Sequence, residues 1–93
     1  MRVKELSLTS TFARQIKKLH KKQKAVVDVV LTQLANNQLL GESKTADLEG
    51  IFVVKFMMNR QEWLLAYRAI SPDELKLLLL GPRENFYREL KKK

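Results

Sequence analysis

Apolar residues change their spacing along this chain, and each change marks an element. In "VKELSL", residues 3–8, Lys4, Leu6 and Leu8 alternate with Val3, Glu5 and Ser7, which predicts a short strand. In "TSTFARQIKKLHKK" Phe12, Ile16 and Leu19 fall at i, i+4 and i+7. That is the stripe of an amphipathic helix capped by Thr9 or Ser10, with Arg14, Lys17, Lys18 and Lys21 largely outside it. From about Gln23 to Leu40 the positions Val27, Val30, Leu31 and Leu34 repeat at i, i+3, i+4 and i+7, predicting a second helix that ends near Asn36-Asn37 or at Gly41. The β-branched run "AVVDVV" alone would suit a strand, because valine stiffens at χ1, but the helical period continues beyond it. The gap between the helices, about residues 21–24, is short enough to make an antiparallel hairpin.

"GESKTADLEG" is polar, begins and ends in glycine, and reads as a loop that resets the chain. Three strand-like runs follow, "IFVVKFMM", "WLLAYRAI" and "LKLLLLG", separated by the polar turns "NRQE" and "SPDE". They predict an antiparallel meander. The leucine-rich third run is apolar on both faces and is expected to be the most buried strand, covered by helices on at least one side. Gly81-Pro82 stops it, and "RENFYRELKKK" suits a terminal helix with Glu84 in its first turn and lysines in its last, matching the helix dipole. The order is β-α-α-β-β-β-α, an α+β fold in which an N-terminal strand and a helical hairpin accompany a small antiparallel sheet.

Length and composition narrow the function. Ninety-three residues, 45% of them hydrophobic, suit one domain over 1–93, since so short a chain cannot supply two cores. The chain has no cysteine and one histidine, which leaves no disulfide framework, no thiolate nucleophile and no His- or Cys-based metal site; neither a metal nor a cofactor is expected. "MRVKELSLTS" lacks the apolar core of a signal peptide, and no apolar run reaches the length of a membrane span. The expectation is a cytoplasmic protein with no membrane partner.

Charge points to the partner class. Residues 1–24 carry eight Lys/Arg and one Glu, residues 25–80 five basic and seven acidic groups, and residues 81–93 five basic and two acidic. Positive charge therefore gathers at both ends of the chain, and a net +8 favours a polyanion, most commonly nucleic acid. A solvated basic surface is the alternative reading. The run "KKLHKKQK", with Lys17, Lys18, Lys21 and Lys22, suits contact with an RNA backbone. His20 stands among these lysines without a second histidine or a paired acid, and reads as a surface residue at the C-terminal end of the first helix.

The order of elements, "LEGIFVVKF", "WLLAYRAI" and above all "LLGPRENFYREL" resemble the RelE/ParE toxin superfamily of bacterial toxin–antitoxin modules, over essentially the whole chain. The resemblance implies a fold like that of a small microbial ribonuclease and one of two activities. RelE-like members cleave messenger RNA in the ribosomal decoding site; ParE-like members poison DNA gyrase. Both are held inactive by a co-produced antitoxin, here expected to be an acidic, amphipathic protein forming a hetero-oligomer with the chain. The RelE-like activity is the favoured expectation, with gyrase as the alternative target.

Cleaving RNA through its own 2′-hydroxyl needs a group to take that proton, cations to stabilise the phosphorane, and help for the leaving 5′-oxygen. Lys55 interrupts an apolar strand, on the face of Val53 and Met57. In the family, lysines of that strand line the active groove, so Lys55 is the candidate to accept the proton or hold the phosphate; an edge-strand lysine reaching water is the other reading. Arg83 matches the arginine of the family's C-terminal motif and is the candidate to stabilise transition-state charge, against a surface pairing with Glu84 or Glu62. Tyr87, at i+4 from Arg83, resembles the family's C-terminal tyrosine, proposed to stack on a base or assist proton transfer; its alternative is packing. Phe86 is expected to face the core, and Leu90 to anchor the tail with it. Arg60 and Arg68 are further nucleic-acid-binding candidates. The chain departs from its ribonuclease relatives at Leu64, which follows Trp63 where they often carry an arginine.

Overall fold

The computed structural model describes residues 5–37, 40–44 and 46–92; Val3 and Lys4 of the predicted first strand lie outside them. The elements are β1 (Glu5–Leu8), α1 (Ser10–Lys17), α2 (Lys21–Asn36), β2 (Glu42–Ser43), a 3₁₀ turn (Ala46–Leu48), β3 (Ile51–Met58), β4 (Gln61–Ser71), β5 (Glu74–Pro82) and α3 (Arg83–Lys91). The strands form one sheet in the order β1-β5-β4-β3-β2. β3, β4 and β5 make the expected antiparallel meander, while β1 joins β5 in parallel, so the sheet is mixed. The parallel pairing is possible because the whole helical hairpin and meander intervene between the two strands.

Thr9 is the cap of α1. Its Oγ1 accepts the Phe12 N–H at 3.1 Å and donates to the Leu78 carbonyl at 3.1 Å, so the residue that starts the helix also ties it to β5. The break between α1 and α2 falls at residues 18–20 rather than 21–24. The reason lies at His20, which is the N-cap of α2 rather than the end of α1: Gln23, three residues on, reaches back and accepts the His20 N–H at 2.9 Å, half of a capping box. α2 runs straight through the valines because Val27, Val30 and Leu34 alone supply the buried stripe, while Val29 is exposed.

Each face of the sheet has its own core. On one, Phe12 of α1 and Val27, Val30 and Leu34 of α2 pack on Val54, Met58, Leu65, Tyr67, Leu75, Leu77 and Leu80. On the other, Phe86 and Leu90 of α3 pack on Leu48, Ile51, Val53, Leu64, Ala66 and Leu79. β5 serves both because a register shift opposite Ala66/Tyr67 inserts Leu78 as an extra residue, which moves Leu80 onto the hairpin face with Leu75 and Leu77. The longest unbroken buried stretch is Leu64–Tyr67 of β4, the middle strand. Beyond β1 the outer edge of β5 is closed by α1, where Gln15 Oε1 accepts the Leu80 N–H at 2.8 Å; such cover stops an edge from pairing with other chains.

"GESKTADLEG" is more ordered than a loop. Glu42 and Ser43 pair with Val53 and Phe52, and Gly41 abuts the fully buried Tyr67. The Gly41 N–H donates to the Tyr67 hydroxyl at 2.8 Å, and a Cβ at Gly41 would stand 2.8 Å from the Tyr67 ring. Only a residue without a side chain permits that approach. Among the described residues no helix is long and apolar enough to cross a membrane.

Candidate functional site

α3 is short and covers only part of its sheet face, leaving Lys55 and Met57 of β3 exposed. Pro82 caps it with extended backbone angles, its missing N–H costing nothing at a helix start. Phe86 and Leu90, 3% and 2% exposed, seat the helix on Leu64, Ala66 and Leu79. Arg83 is exposed, while Tyr87, one turn on, is half-buried and packs against the margin of this core, the packing that was the alternative reading of this residue. Phe86 and Leu90 thus anchor the tail as the pattern predicts.

Strand register brings the remaining groups to this face. Lys55 of β3 is opposite Leu64 of β4, which is opposite Gly81 of β5, so one row crosses from Lys55 to the start of the Arg83 helix in roughly 10 Å, two strand spacings. Lys55 is exposed. Leu64, by contrast, is 0% exposed and makes the floor of the row apolar. Gly81 leaves its end empty, since a Cβ there would meet nothing within 4 Å.

Two cations of this face, Arg83 and Lys44, are paired with acids. Arg83 Nη1 donates to Glu62 Oε1, the surface pairing that was the alternative reading of this residue, and the Glu62 carboxylate holds the guanidinium pKa above its ordinary value. Lys44, just beyond β2, donates to Glu42 Oε1 at 2.8 Å. That hydrogen bond raises the Lys44 pKa and lowers that of Glu42, with the charge of Lys55 adding to the latter. Lys44 Nζ also stands 5.4 Å from the centroid of the Tyr87 ring, within cation–π range, and Phe86 meets that ring edge-on at 5.5 Å and 88°. The Tyr87 phenol also helps raise the pKa values of Lys44 and Arg83.

Lys55, Arg83 and Tyr87 therefore share one face with Lys44, Glu42 and Glu62. The other candidates are dispersed. Lys17, Lys18, Lys21 and Lys22 are exposed on the hairpin, across the sheet; of these, Lys18 lines an open cleft with Gln15, Trp63, Gly81 and Pro82 and so approaches the Arg83 end. Arg68 is on the α3 side but at the far end of β4, its Nη1 3.4 Å from where a Gly50 Cβ would sit. Arg60 occupies the β3–β4 turn with φ 61°, after Asn59 at 54°, the left-handed pair of a type I′ hairpin. Lys44 and Glu42 are absent from the sequence-based candidates. The signal that could have found them is their i, i+2 spacing, which puts both on one side of an extended segment.

Comparison with known proteins bears on the family and the fold. Residues 6–91 match the family described as ParE-like toxin of type II bacterial toxin–antitoxin system. Among curated proteins the chain has no match in sequence. Among solved structures it is similar to the RelBE2 toxin–antitoxin complex of Mycobacterium tuberculosis, at TM-score 0.73 and 22% identity over 89% of this chain and 100% of that one. It is also similar to a doubly substituted E. coli RelE in the free state, at TM-score 0.75 and 13% identity over 98% of this chain and 94% of that one, and to the toxin chain of the intact E. coli RelBE complex, at TM-score 0.68 and 13% identity over 90% and 99%.

Proposed function

Because the chain belongs to the ParE-like toxins of type II bacterial toxin–antitoxin systems, we propose that it arrests growth by cutting messenger RNA on the ribosome. The observation that carries this reading is the meeting of Lys55, Arg83 and Tyr87 on the open face of the sheet, on elements otherwise remote in sequence. A phosphodiester entering there exchanges for the Glu62 carboxylate on Arg83, whose planar fork suits a phosphate oxygen pair. The RNA 2′-hydroxyl then attacks the adjacent phosphorus, its proton passing to the free-amine form of Lys55, or to water with Lys55 holding the phosphate as an ammonium. The P–O5′ bond breaks, leaving a 2′,3′-cyclic phosphate and a 5′-hydroxyl protonated from the Tyr87 side. Arg83 stabilises the charge that grows on the phosphorane. The exposed hairpin lysines add ribosomal RNA contacts that weaken with salt.

Two of the similar structures are toxin–antitoxin complexes, which supports a cognate antitoxin as partner; the net charge of +8 suits an acidic one. A ribosomal target and an antitoxin partner support a cytoplasmic location. The buried Leu64 favours a second reading, inhibition of DNA gyrase without cleavage, since the centre of the row carries no cation. Primer extension on a defined messenger RNA, with and without programmed ribosomes, separates the two. Discrete cuts that need ribosomes and fall about a hundred-fold or more in Arg83→Ala, with the fold intact, support the first. Intact RNA beside blocked supercoiling establishes the second.

A further inference from the structure

We propose that Lys44 is a positioning residue of this groove, holding the Tyr87 ring beside Arg83 and Lys55 so that it meets an incoming RNA strand in one orientation; the inference deepens the reading above and rests on it. Lys44 is the one lysine among the described residues that is not exposed, its side chain being 19% accessible. Withdrawing an ammonium from water is unfavourable unless partners replace the hydration, and here they do. Glu42 accepts one of its hydrogens at 2.8 Å, and the face of Tyr87 lies 5.4 Å away.

The backbone aims the side chain. The Lys44 N–H donates to the Ile51 carbonyl at 2.9 Å, fixing residue 44 against the first residue of β3. Extended alternation then sends Lys44 to the side of Glu42, which pairs with Val53 under α3. One residue thus joins β2 and α3 through its side chain and β3 through its backbone. Packing alone does not account for it, because Phe86 and Leu90 already seat α3 and an aliphatic residue would fill the same space without desolvating a charge. The raised pKa of Lys44 keeps it an ammonium, a fixed cation rather than a proton acceptor. With Phe86 on the ring edge and Lys44 over the ring, Tyr87 is constrained from two directions.

The test uses the full-length protein and two readouts. The chain has two tyrosines, so the Tyr87 ring resonances can be assigned by NMR. Lys44→Met should shift and broaden them while leaving Tyr67 unchanged, and Lys44→Arg should restore the wild-type pattern. On programmed ribosomes Lys44→Met should lower kcat about ten- to a hundred-fold with little change in KM, and should have no further effect in a Tyr87→Ala background. Unchanged Tyr87 resonances in Lys44→Met, or effects of the two substitutions that simply multiply, overturn the proposal. If the wild-type protein cuts no RNA, the ribonuclease reading fails, and the ring resonances still decide whether Lys44 positions Tyr87.

Discussion

The two faces of the sheet put their charges in different places. On the hairpin face, α1 and α2 together lay 24 helical residues over the strands, and the lysines stand on the outer surface of those helices, away from the sheet. On the other face a single helix of nine residues spans only about 14 Å at 1.5 Å per residue. It covers Leu64, Ala66 and Leu79 and leaves the Lys55 end bare, so Lys44, Lys55, Arg83, Glu42 and Glu62 meet beside an apolar core rather than outside it. One face is thus closed to hold the fold, and the other is left partly open, with Lys55 exposed and Arg83 and Lys44 paired to acids at its rim.

That division can be broken most decisively at Phe12, which is 0% exposed on the hairpin face. Phe12→Ala should cost about 3–5 kcal/mol in urea unfolding; a loss below about 1 kcal/mol would show that the hairpin face is not the stabilising one. Gly41→Ala, which pushes a Cβ against the Tyr67 ring, should cost about 1–3 kcal/mol, and restored stability in Gly41→Ala/Tyr67→Phe would trace the strain to the phenol oxygen. Gly81 predicts the opposite sign. It lies in the open face, needs no positive φ and has free space above it, so Gly81→Ala should raise stability by about 0.5–1 kcal/mol in thermal melts while slowing RNA cleavage. Equal or lower stability would mean that the glycine serves the fold and not the groove.

The smallest effect is a pH dependence at the Glu42–Lys44 pair. The folded-state pKa of Glu42 lies below its ordinary 4.5, so the pair contributes stability above that value and loses it as pH falls through the lowered one. Glu42→Gln should flatten this acid limb of the stability profile. A limb of unchanged shape would show that the pair adds nothing, as is common for exposed ion pairs.

Much of the architecture was legible in local pattern. The stripe Val27, Val30, Leu34 identified a helix despite its valines, and alternation plus polar turns identified the meander. Lys55, Arg83 and Tyr87 could be named as candidates because the interrupted apolar strand and the C-terminal motif shared with the family are contiguous signals, and the structure puts all three on one side of the sheet. The break at His20 was misread because its capping signal is one glutamine side chain amid lysines. β2 was missed because two residues cannot display a period, and Lys44 with it.

The inward stripes of the helices were encoded locally, since hydrophobic periodicity is set by neighbours a few residues apart. The parallel pairing of β1 with β5, the register shift at Leu78 that lets one leucine run feed two cores, and the contacts of Lys44 with Tyr87 and of Arg83 with Glu62, 21 residues away, arise only in the assembled fold. Those contacts depend on strand register and on where α3 lands. Both are collective outcomes of packing two apolar faces at once, and no short stretch of the chain encodes them.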